Sequence, residues 1–127
     1  MRMWMIAPHL LCRKHLLGEH NELHMLAGSI LRGKNLEGFV RHGLLQVQSL
    51  EERHVELAQE MQTRGYRHAS PLPAYKNFLK NYPQHILQAR VDTCLSLQEL
   101  ARRCPACAQR QKEYGLQENI DCRASCR

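Results

Sequence analysis

Between His15 and His24, five ionisable side chains fall within ten residues: His15, Glu19, His20, Glu22 and His24. Three readings fit this spacing. His20 and His24 stand four apart, as paired ligands do on zinc-binding helices. In that motif a general-base Glu directly follows the first His; here Asn21 takes that place and Glu22 comes one later. The second reading is acid–base chemistry by Glu22. A neighbouring carboxylate such as Glu19 raises its pKa, which is how a Glu becomes useful near neutral pH. The third is a solvated helix face with one core histidine and no chemistry at all.

A second concentration lies at the far end. Cys104-Pro-Ala-Cys107 and Cys122-Arg-Ala-Ser-Cys126 are two pairs separated by fourteen residues. That is close to the spacing of structural zinc sites. Four thiolates around one ion would pin a tail with too few apolar residues to fold alone. Free thiols at a helix end, or a redox pair at Cys104 and Cys107, are the other readings; no thioredoxin-like strand precedes the pair. Cys12 and Cys94 fall on apolar helix faces and read as core. Trp4 reads as core, or as a stacking group for an extruded base.

These groups must be carried by helices. Residues from about 12 to 32 read as one, with Leu16, His20, Leu23, Ala27 and Ile30 on a core stripe. His15, Glu19 and Glu22 share an adjacent face able to present polar groups. The first eight residues read as extended and close at Pro8. Gly33 to Gly38 is a turn-rich connection. Ser49 and Glu52 predict a capping box opening a helix over 50–64, with Gly65 as its C-terminal cap. Ser70-Pro71-Leu72-Pro73 is a stiff loop, and a third long helix is expected over 84–102. The fold class is all-α: a compact three-helix single domain over 1–103 and a small Cys-rich tail over 104–127.

Composition sets the bounds. The chain has 127 residues, 43% hydrophobic and 24% charged, which fits one globular domain and argues against a disordered tail. Its net charge of +6 is spread evenly along the chain and leans toward a polyanionic partner. No apolar run approaches the roughly 20 residues that span a bilayer, and the start lacks the features of a signal peptide. The expected location is cytoplasmic, so the six cysteines should be reduced, which favours metal or structural roles over disulfides.

Three pieces then occur in order: His15-Leu-x-x-Glu19-x-x-Glu22-Leu, Leu50-x-x-Arg53-x-x-x-Leu57-x-x-Glu60-x-x-x-Arg64-Gly65-Tyr66, and Gln88-Ala89-Arg90-Val91-Asp92. With Met1-Arg2-Met3-Trp4 and Ser70-Pro71-Leu72, they resemble the phage and bacterial pyrimidine-dimer DNA glycosylases with abasic-lyase activity, of the endonuclease V type. The resemblance covers about residues 1–103. It implies a compact three-helix protein that acts on double-stranded DNA with a damaged or modified base. The implied nucleophile is an N-terminal α-amine that displaces the base and forms an imine with the sugar, assisted by a helix Glu. An α-amine has a pKa near 8, so about a tenth of it is neutral at pH 7, far more than of a Lys side chain.

Met1 stands 14 positions before His15 and 21 before Glu22, the family's own separations. The family removes its initiator Met to expose a small residue. Arg2 is too large for that, so Met1 is expected to be retained and to supply the amine. The implied reacting group is therefore Met1, Glu22 and His15. The family's two arginines flanking the catalytic Glu are Asn21 and Met25 here. DNA contacts then fall to Arg2, Arg13, Lys14, Asn21 and His24, with charge also available from His9 and His20. No catalytic cofactor is implied; the tail cysteines Cys104, Cys107, Cys122 and Cys126 are the candidate ligands of a structural zinc. No membrane partner is expected, and a monomer is favoured over a dimer. The alternative function is a non-catalytic DNA-binding or adaptor protein with a zinc-binding tail.

Overall fold

The stripe of Leu16, His20, Leu23, Ala27 and Ile30 forms one side of helix α1, Arg13–Leu31, and all five residues are buried. The computed structural model describes residues 1–67 and 70–115. Helix α2 is short, Glu37–Arg41, and begins inside the stretch expected to be only a turn. Asn35 supports it: its side-chain oxygen accepts from the Glu37 amide at 2.8 Å. Helix α3 runs Leu50–Thr63 and packs across α1 through Leu50, Leu57 and Met61. Gly65 ends it at φ +83°, a left-handed position that costs glycine little.

The expected capping box does not form. Ser49 is the N-cap of α3, but its hydroxyl accepts from Gln46 Nε2 at 2.7 Å and does not cap the helix. The expected helix over 84–102 is also two helices. The first, α4, spans Gln84–Leu87, and α5 spans Thr93–Arg103. The break has local causes. Asp92 Oδ1 caps α5 by accepting from the amides of Cys94 and Leu95, while the Val91 amide donates to Gln46 Oε1 at 3.0 Å. Beyond Arg103 the chain turns at once into α6, Pro105–Glu113, with Pro at its first position and Cys104 as its N-cap. This helix packs on α5 and on the 3₁₀ turn Pro8–Leu10. Cys122 and Cys126 lie outside the described residues.

Among the described residues there is no strand, so the irregular N-terminal segment cannot satisfy its backbone in a sheet. Arginines do it instead. Arg53 Nη1 donates to the Ile6 carbonyl at 2.6 Å. Arg64 Nη2 donates to Leu11 O at 2.6 Å and Pro8 O at 3.2 Å. Arg110 Nε donates to His9 O at 2.7 Å. The Met3 amide finds Leu44 O at 2.7 Å. The Ile6, His9 and Leu11 carbonyls thereby gain donors, and Pro8 O, which already accepts from the Leu11 amide, gains a second. The segment bends at Met5, whose φ of +61° is rare for a residue with a side chain. Met3, Trp4 and Ile6 all enter the core. No helix is long and apolar enough to cross a membrane among the described residues.

Candidate active site

The N-terminal segment delivers the chain's first nitrogen to α1. The α-amine of Met1 lies 3.9 Å from Glu22 Oε1. The Met1 side chain is buried, packs against the core, and lies with its sulfur 3.9 Å from the Ser29 hydroxyl. Glu22 keeps about a third of its side chain exposed, so it faces the amine and the solvent together. Burial pushes its pKa up; the amino terminus and the Arg2 amide pull the other way, and Glu19 adds a minor upward push. A carboxylate partly starved of water beside an amine is the pairing needed to move protons at a reacting carbon.

Glu19 lies elsewhere than expected. It is wholly buried, and Arg53 grips both its oxygens, Nε to Oε2 at 2.6 Å and Nη2 to Oε1 at 2.9 Å. It is therefore half of an internal ion pair, not a second carboxylate on an open face. The same guanidinium reaches Ile6 O, so Glu19, Arg53 and the N-terminal segment form one unit. That unit sets where Met1 can lie.

The pyrimidine dimer DNA glycosylase family model matches residues 1–74. The chain belongs to this family. No curated protein and no solved structure matches it. The matched stretch contains the N-terminal segment, α1 and α3, and so both Met1 and Glu22.

Family membership gives the outer face of α1 its interest. Arg13, Lys14, Asn21 and Met25 are exposed there, Met25 by 56%. Gly18 lies among them, and a Cβ on it would meet nothing within 4 Å. Arg13 spends part of its reach on Tyr66, its guanidinium 4.5 Å from the ring centre. Arg2 stacks over Trp4 at 3.8 Å, and Trp4 is buried, so in this conformation it is a core residue. His20 is also buried and adds no surface charge. It meets His24 and His54 with ring centres 4.9 and 5.0 Å away, a triad whose nitrogens lie within 4.8 Å of one another. His9 packs edge-on against Tyr114.

His15 turns from the amine toward sulfur. Its Nδ1 lies 3.3 Å from Cys12 Sγ and 3.6 Å from Cys107 Sγ. Cys104 Sγ lies 3.8 Å from Cys12 Sγ. Cys12, expected to be only a core residue, thus joins Cys104, Cys107 and His15 in a set whose donor atoms all lie within 4.8 Å. That set is compatible with a structural zinc. Burial holds the His15 imidazole below its ordinary pKa, and Lys14 and Arg103 add to the shift. Cys94 is buried. The spacing Cys-x2-His at 12–15 was the signal available in the sequence for the first half of this set.

Proposed function

We propose that the protein is a DNA glycosylase and abasic-site lyase whose nucleophile is the α-amine of Met1, acting on a damaged or modified base in double-stranded DNA. The observation that carries this reading is the 3.9 Å approach of that amine to Glu22. The neutral amine attacks C1′, the glycosidic bond breaks, and its electron pair leaves with the base. Loss of the amine proton and opening of the C1′–O4′ bond give an imine. The imine acidifies C2′; Glu22 removes that proton, and the 3′ phosphate leaves by β-elimination. Water then releases the sugar fragment and restores the amine. Arg13, Lys14 and Asn21 on the outer face of α1 would meet the backbone, with Arg2 close to the amine.

Borohydride reduction over abasic-site duplex tests this. Native and C-terminally tagged protein should be trapped, with the adduct on Met1. An N-terminal extension should abolish trapping, because one added residue moves the amine by about 3.5 Å where attack tolerates about 1 Å. An extended form with full activity, or an adduct on Lys14 or Lys34, would refute the assignment. A protein that binds the duplex and never traps would be the non-catalytic binder.

A further inference from the structure

We infer that Cys12, His15, Cys104 and Cys107 form a tetrahedral zinc site that clamps the start of α1 to the start of α6. The spacing of the donors is the first argument. Zinc bonds of about 2.3 Å to sulfur and about 2.0 Å to nitrogen at tetrahedral angles separate two sulfurs by about 3.8 Å, and a sulfur from a nitrogen by about 3.6 Å. Cys12 and Cys104 sulfurs are 3.8 Å apart, and His15 Nδ1 is 3.3 and 3.6 Å from two sulfurs. An S–S bond would need about 2.05 Å, and all three cysteines are free.

The second argument is how the donors are held. Cys12 is the N-cap of α1 and His15 its third residue; Cys104 is the N-cap of α6 and Cys107 its third residue. Two helices thus present the same pair of positions to one point. Three thiolates and a neutral imidazole around a divalent ion carry a net charge of −1. Two helix N-termini offset that charge with their unpaired amides and positive ends. The amides do aim at sulfur: Cys12 N donates to Cys107 Sγ and Cys107 N donates to Cys104 Sγ, each at 3.4 Å. Such outer hydrogen bonds orient ligands and steady thiolates.

The third is that the set is complete without the tail. Cys104 and Cys107 find their partners across more than 90 residues, in Cys12 and His15, and require nothing of Cys122 or Cys126.

The test is metal content of untagged protein by mass spectrometry, with cobalt substitution as a second reading. One zinc per chain is expected, and the cobalt form should show charge-transfer absorption sized for three thiolates. The double variant Cys122→Ser/Cys126→Ser should keep the full metal complement. Cys12→Ser and Cys107→Ser should lose it. Cys12→His, which keeps four donors, should retain metal and lose one thiolate's share of the cobalt band. Metal lost from the tail variant and kept in Cys12→Ser would overturn the assignment. So would metal-free protein with the three thiols freely titratable, or a peptide map showing a disulfide among Cys12, Cys104 and Cys107. Metal content is read without DNA, so failure here is separable from failure of the proposed lyase chemistry.

Discussion

Glu22 is the residue on which the chemistry turns. Its replacement by Gln keeps size and shape and removes the base. Strand cleavage should fall by about 10²–10⁴-fold while duplex affinity persists; a loss below about threefold would return Glu22 to a solvated helix residue. The pH profile gives a sharper check. An amine that must be neutral makes the rate fall tenfold per unit of acidification below its pKa. A carboxylate that must be ionised adds a second tenfold below its own. Because burial raises the Glu22 pKa, that bend should appear above the ordinary carboxylate range in single-turnover cleavage. Glu22→Gln should lose the bend and keep the first slope. His15, by contrast, faces sulfur. His15→Ala should lower metal content and thermal stability more than it alters the shape of the pH profile.

At the scale of elements, Arg53 of α3 and Arg64 at its C-cap decide where the N-terminal segment sits. Arg53 and Glu19 are both essentially unexposed, and removing one member of such a pair leaves a buried charge unpaired. Glu19→Gln should destabilise the fold by about 3–5 kcal/mol, seen as a lower midpoint in chemical denaturation. Arg64 is only partly buried and holds two carbonyls of the segment. Arg64→Gln should fold, yet trap abasic DNA more slowly because Met1 is less firmly held. These roles were half legible in the sequence. Residues 53 and 64 stood out in the family pattern, but a basic composition suggested that such charge faces a polyanion. Part of it faces backbone carbonyls instead, since a segment with no sheet partner needs donors. The apolar stripe placed α1 within a residue at each end because apolar spacing is local. The break at 88–92 was hidden because no Pro or Gly marks it; a side chain from Gln46 and the cap at Asp92 make it. Likewise, Cys-x2-Cys is visible in one dimension, but which distant pair completes it is a property of packing.

For the whole molecule, a metal clamp between α1 and α6 makes the matched first 74 residues dependent on α6. Removing zinc with a strong chelator should lower the thermal midpoint by at least about 10 °C, and restoring zinc should reverse the fall. DNA binding should depend on salt through the outer face of α1. Lys14→Ala should weaken binding evenly across duplex sequences and reduce the slope of log affinity against log salt by about 1.

Trp4 is the chain's single tryptophan. It sits beneath Arg2 and edge-on to His15, with ring centres 5.9 Å apart. Its emission therefore reports on one place, the segment that carries the amine, and nowhere else. Helices form in about a microsecond, but contacts between distant parts of a chain close later. On dilution from denaturant, far-ultraviolet ellipticity should return before the tryptophan spectrum shifts to the blue. The ability to trap DNA should return with the second signal. A protonating imidazole beside an indole changes its emission, so zinc on His15 should also flatten the fluorescence on acidification, and chelation should restore a titration below the ordinary imidazole range. The molecule thus carries its own optical gauge of whether the reactive end has been set in place.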